Sequence, residues 1–259
     1  MGARREPLNK NAAESRETAL AFLPLHDANP WRHIRRPWVA WGIIAANFVV
    51  YFAVAVGGDA AEASVLQFGL IPAAFNGFAE RPVELAAVPD LLTLVTYAFL
   101  HADLMHLLGN MIFLWVFADN VEDALGHVRY FIFYILCSIA AGYAFVLSDP
   151  TSHAPVIGAS GAVGGNIAAY LLLHPRAKIW ILLFLRIPLR LSAVYVLGFW
   201  IAFQFVAALG SDGEDNVAWW AHIGGLVAGA VLVVFMRRRG VPLLDRAPVP
   251  DSAKGPWGR

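Results

Sequence analysis

Long apolar blocks recur along this chain, and they limit its possible folds more than any other feature. Most approach the roughly 20 residues that carry an α-helix across a hydrocarbon core about 30 Å thick. A segment inside a bilayer must satisfy its own backbone N–H and C=O groups, so such blocks are read as helices. They run from about Trp38 to Val56, Ala98 to Ala118, Val128 to Leu147, Ser160 to Leu173, Leu191 to Leu209 and Trp220 to Met236. Only 15% of the residues are charged, against about 25% in a soluble domain. The reading is an all-α polytopic membrane protein with six spans. The apolar run Ile179 to Leu185 is too short to cross, and Arg176, Lys178, Arg186 and Arg190 bracket it. It is read as an interfacial connection.

Lys and Arg in the connecting segments set the orientation. Residues 1–37 carry Arg4, Arg5, Lys10, Arg16, Arg32, Arg35 and Arg36, and the segment after the last span opens with Arg237, Arg238 and Arg239. The links Ser148 to Ala159 and Gly210 to Trp219 have no Lys or Arg. Both termini are therefore expected in the cytoplasm, as tails over residues 1–37 and 237–259 around a membrane domain over 38–236. The first tail lacks the apolar region and cleavage site of a signal peptide. Trp38 and Trp41 then fall at the inner interface, and Trp219 and Trp220 at the outer one. The segment Gly57 to Tyr97, with "FGLIPAAF" at 68–75, is long for a plain link and apolar enough to lie in the outer interface.

Polar side chains within spans are costly and mark candidate function. The second block holds His101, Asp103, His106 and Asn110; the fourth begins at Ser160; the fifth holds Gln204; the sixth holds His222. On the expected topology His106, Asn110, Ser160 and His222 lie at similar depth below the outer face. His106 and Asn110 are four residues apart and share a helix face. Gly225 and Gly229 form a bare stripe beneath His222, and Gly161, Gly164 and Gly165 follow Ser160. Glycine-lined helices approach closely, so Ser160 and His222 are able to meet as nucleophile and base. The bland alternative is that the glycines serve helix packing alone, with Ser160 as a bystander. No Asp or Glu lies in the last three spans, so any catalytic unit is a dyad. His101 is read as bracing the second span, and Gln204 as interhelical packing. The lone Cys137 forms no internal disulfide and no Cys-rich metal site; neither metal nor cofactor is expected.

"HADLMHLLGNMIFLWVFADNVEDALG" (101–126), "GASG" (158–161) and "AHIGGLVAG" (221–229) occur in an order that resembles the rhomboid family of intramembrane serine proteases. The resemblance covers about Trp38 to Phe235. It implies a six-helix rhomboid-like bundle, Ser160 as nucleophile, His222 as general base, and His106, Asn110 and the Ser160 N–H as oxyanion-hole donors. It implies structural roles for Gly158, Gly161, Gly225, Gly229 and Glu122, and a cavity open to the outer side, with substrate helices arriving near the fifth span. The partners implied are transmembrane protein substrates and the lipid bilayer, with no nucleic acid. The expected location is a bacterial cell (inner) membrane, with the site facing the extracytoplasmic side. Two features depart from the family pattern. Many members carry a Trp-Arg pair in the first outer loop, whereas here Trp31-Arg32 precedes the first span. Some place an aromatic four residues after the serine, where this chain has Gly164, so His222 must be oriented otherwise. The rival readings are a catalytically inactive client-binding relative and a small polytopic transporter. No internal repeat and no acid in the membrane core weigh against the transporter.

Overall fold

The computed structural model describes residues 22–58, 60–210 and 217–245. The expected terminal tails and the link after Gly210 fall largely outside these residues. Seven main helices appear: α1 Trp38–Val56, α2 Ala60–Phe68, α3 Leu104–Leu125, α4 His127–Ser148, α5 Ser160–Leu173, α6 Ala193–Gly210 and α7 Trp219–Met236. Among the described residues, five of them (α1, α3, α4, α6 and α7) are long and apolar enough to cross a membrane. At 14 residues α5 is shorter, about 21 Å at 1.5 Å per residue. It is also the most enclosed: Gly161 through Tyr170 are all buried.

The fold is not purely helical, which corrects the all-α expectation. Phe22–Asp27 (β1), Lys178–Leu183 (β2) and Ile187–Ser192 (β3) form an antiparallel sheet in the order β1-β2-β3. The run read as an interfacial connection is thus mostly β2. It alternates Ile179, Ile181 (buried) with Lys178, Trp180 (less so), the period of a strand with one covered face. The turn to β3 places both Phe184 and Leu185 at positive φ. The strand ahead of α1 pairs with a partner some 150 residues away, which no local pattern reveals.

The second block also shifts. Residues 97–99 form a 3-10 turn and α3 starts only after Asp103, not at Ala98. The Asp103 side chain accepts the His106 backbone N–H at 2.9 Å, an N-cap that fixes the start. At its other end α3 holds α1. Fully buried Glu122 accepts the N–H groups of Val39 (3.1 Å) and Ala40 (2.7 Å) and also contacts His127. Asp123 accepts three more, from Arg32, His33 and Ile34. The N–H groups at the start of α1 would otherwise be unpaired at the bundle's edge. Trp31 and Arg32, out of place for a loop anchor, join this clasp: Trp31 Nε1 donates to Asp119 at 2.8 Å, and Arg32 pairs with Asp245 at 3.4 Å.

The long segment after α1 is ordered around Leu70, which is fully buried and exchanges backbone hydrogen bonds with Val156. Arg81, the sole Lys or Arg of this segment, donates to the carbonyls of Leu66, Gln67 and Gly69 and pairs with Asp90 at 3.0 Å. It closes the C-terminal end of α2. The segment therefore braces the strand-like approach to Ser160.

Candidate active site

Three helices begin at one end of the bundle and carry the polar residues there. Ser160 opens α5, His222 lies in the first turn of α7, and His106 lies in the first turn of α3. Ser160 Oγ and His222 Nε2 are 2.8 Å apart, within hydrogen-bond reach. The expected meeting of the fourth and sixth spans thus occurs, and its cause is visible in the backbone. A Cβ on Gly225 would land on the Gly161 carbonyl oxygen, and one on Gly229 on the Gly165 carbonyl oxygen. The two helices touch backbone to backbone, as glycine alone allows. Gly161 faces Ala141 of α4 on its other side.

Gly158 shapes the approach. Its φ is +126°, and a Cβ there would sit 2.7 Å from His106 Cε1. Its N–H donates to the Tyr97 carbonyl at 2.9 Å. The His106 ring consequently lies against the chain two residues before Ser160. Asn110 is buried one turn below and donates one amide hydrogen to the His106 carbonyl at 3.1 Å. The other amide hydrogen is not used by that bond. No side chain caps the N-terminus of α5, so the first N–H groups of that helix face the site with the positive end of its dipole.

His101 is buried, and its ring packs edge-on against His106 with centroids 5.1 Å apart. It braces His106 and does not reach the Ser–His pair through any hydrogen bond shown. Glu122 lies at the far end of α3, in the clasp described above. Among the described residues no cluster of His, Cys, Asp or Glu has the makings of a metal site.

One contact escaped the sequence reading. Gln204 of α6 places Oε1 2.7 Å from His222 Nδ1. The residue was visible as the lone strongly polar side chain of its span, but packing and partnership look alike in one dimension. The available clue was chemical: a candidate base with no carboxylate and no stacked aromatic on α5 needs some other orienting group.

Fold and site together define a class: polytopic membrane proteins with a Ser–His pair set into one end of a helical bundle. Residues 88–239 match the rhomboid domain, and the chain belongs to the rhomboid family. It is 28% identical over 163 residues to RHOMBOID-like protein 12, mitochondrial, of Arabidopsis thaliana, covering 56% of this chain and 46% of that protein. It is 25% identical to the rhomboid protease GluP of Bacillus subtilis over 75% of this chain and 34% of that protein. With Rhomboid-like protease 3 of Toxoplasma gondii it shares 24% identity over 80% and 74% of the two chains. The chain thus spans less than half of the length of the Arabidopsis relative.

Proposed function

We propose that the chain is an intramembrane serine endopeptidase that cleaves transmembrane segments of other proteins with a Ser160–His222 dyad. The observation that carries this reading is the 2.8 Å contact between Ser160 Oγ and His222 Nε2. His222 Nε2 takes the hydroxyl proton as Ser160 Oγ attacks the scissile carbonyl carbon. The carbonyl oxygen becomes an oxyanion, for which the His106 ring, the Asn110 amide and the Ser160 N–H are the donors at hand. The C–N bond then breaks, His222 returns its proton to the leaving amine, and an acyl-Ser160 ester remains. Water, deprotonated by His222, attacks the ester carbon; the bond to Ser160 Oγ breaks, His222 returns the proton to Oγ, and the new carboxyl end leaves.

The proposal includes six crossings with both termini cytoplasmic and the site opening to the outer side. The two Trp groups support it, since Trp38 and Trp41 begin α1 at the clasp end while Trp219 and Trp220 begin α7 at the site end. It also includes cytoplasmic terminal segments over residues 1–37 and 237–259, of which 22–37 and 237–245 are folded against the bundle as described above. The proposed membrane is a bacterial cell membrane; relatives occur both in Bacillus subtilis and as mitochondrial proteins. Substrates must unwind locally, because a helical peptide bond is shielded from attack.

The test is direct. Purified wild type should cleave a single-span substrate and take up a fluorophosphonate, and Ser160→Ala should do neither. A folded wild type that neither cleaves nor labels overturns the protease reading. Cleavage that persists in Ser160→Ala removes Ser160 from the role of nucleophile.

A further inference from the structure

We propose that Gln204 is a positioning residue for the catalytic base, its amide fixing the His222 ring so that Nε2 offers a lone pair to Ser160. The proposal rests on the protease reading above and adds a third polar partner to the dyad. The two ring nitrogens have different neighbours, Gln204 Oε1 at 2.7 Å from Nδ1 and Ser160 Oγ at 2.8 Å from Nε2. An amide oxygen has no hydrogen to give, so Nδ1 carries the proton and Nε2 is left free to accept one.

The surroundings point the same way. Gln204 is 3% exposed, and the other buried residues of α6 are Ala193, Val196, Leu197 and Ala208. An amide in such company is costly without a partner, and its carbonyl finds one on the ring of His222. Trp200 precedes Gln204 by one turn on the same face of α6 and stacks on the ring, centroids 6.5 Å apart at 29°. Trp219 closes on it edge-first at 5.7 Å and 87°. α5 supplies no aromatic at the position four residues after Ser160, which is Gly164. A Cβ on Gly164 would sit 3.2 Å from the His222 carbonyl oxygen, a tight contact on the seam that brings Ser160 close. The orienting contacts come from α6 instead.

An amide suits the position chemically. When His222 takes the Ser160 proton it becomes an imidazolium, and Oε1 keeps the Nδ1–H bond, now charge-assisted. A carboxylate would stabilise the imidazolium more, but at a standing cost for an ion at this depth. Amide third members serve the same geometry in Cys-His-Asn sites. Both Gln204 and Trp200 ride on α6, so the base is aligned only while α6 is docked against α7.

Two variants test this in the full chain. Gln204→Met keeps the length without the amide, and Gln204→Glu restores an acceptor. Around the ring stand Ser160 of α5, Gln204 and Trp200 of α6 and Trp219 of α7, while α4 presents Ala140, Ala141 and Ala144 to this stretch of α7. His106 of α3 is the other titratable ring in electrostatic reach. Gln204→Met should lower kcat and the rate of fluorophosphonate labelling by up to about 100-fold, with KM and melting temperature little changed. Gln204→Glu should restore labelling and move the acid limb of the kcat/KM profile to higher pH by about one unit, since a carboxylate favours the imidazolium. The 15N spectrum of the His222 ring in Ser160→Ala should show Nδ1–H, and a mixed tautomer when Gln204→Met is added. Wild-type rates in Gln204→Met overturn the proposal. So does loss of activity that merely follows loss of melting temperature and is not restored by glutamate, or an Nε2–H tautomer in the parent. If wild type neither labels nor cleaves, the protease reading fails, whereas the ring tautomer still reports whether Gln204 holds His222.

Discussion

Single residues carry more than one kind of work in this chain, and environment decides which. Gln204 and His222 bond at the site end, while His174 lies at the other end, just past α5, and is held neutral. Burial pushes its pKa down to about 4, with Asp245 and Asp123 pulling it up and Arg32 pushing it down. Its ring also packs on Tyr170 at 5.5 Å. In the unfolded chain this imidazole takes a proton near pH 6.5. Between about pH 6.5 and 4 the unfolded state therefore binds more protons, and stability falls as pH falls through that window. Melting temperatures measured at pH 7.5 and 5 should differ more for wild type than for His174→Gln; equal slopes would remove His174 as the cause. At this scale the sequence was legible where chemistry is local. Ser160, His222, His106 and Asn110 announce themselves as polar groups in apolar blocks. The role of Gln204 was not legible, because it lies in a contact between spans.

At the scale of elements, α5 and α7 are joined through their backbones, and α6 is joined to them through side chains. This difference predicts unequal tolerance of added methyl groups. In Gly225→Ala the new Cβ meets the Gly161 carbonyl, so the helices must part at a cost of about 1–3 kcal/mol. Labelling of Ser160 should fall more than about tenfold, because parting the seam lengthens the Ser160–His222 contact. Gly198→Ala in α6 meets nothing within 4 Å and should leave stability unchanged or raise it by up to about 1 kcal/mol through helix propensity, read as an equal or higher melting temperature. Equal behaviour of the two variants, by melting and by labelling, would show that the seam is not under close contact. Helix extents were largely legible, since apolar length and period are local properties; α5 was read as Ser160 to Leu173 and occurs so. Apolar residues 98–100 read as span, whereas the Asp103 cap decides where α3 begins.

Across the whole molecule the two ends differ in kind. One end carries the Ser–His pair and the long braced segment after α1. The other carries the sheet, the Glu122 and Asp123 clasp, and a buried carboxyl, Asp27, which accepts from Tyr170 at 2.6 Å and Asn120 at 3.0 Å. Ser160 and Tyr170 sit about 15 Å apart along α5. Deleting residues 22–27 should therefore lower the melting temperature, since it leaves β2 an open edge and removes the acceptor of Tyr170. Below the new melting point, fluorophosphonate labelling of Ser160 should persist. Labelling lost at temperatures where the deleted protein is still folded would show that the two ends are coupled. The sheet was hidden from the sequence for a plain reason. The six residues "FLPLHD" of β1 make sense only beside β2, and so short a run does not show a partner more than 150 residues later in the chain.

That long-range pairing has a consequence in time. Phe22 pairs with Leu183, about 160 residues later in the chain. At the pace of a ribosome, roughly 5–20 residues per second, β1 waits on the order of 10–30 s for its partner to be made. By then α1 through α5 have all been synthesised. Through that interval the carboxyl of Asp27 is free to ionise in water. Its final place is different: burial and the nearby charge of Asp119 push its pKa well above the usual carboxylate range. Closing the sheet therefore favours uptake of a proton, and the first strand to be synthesised can close only once β2 has been made.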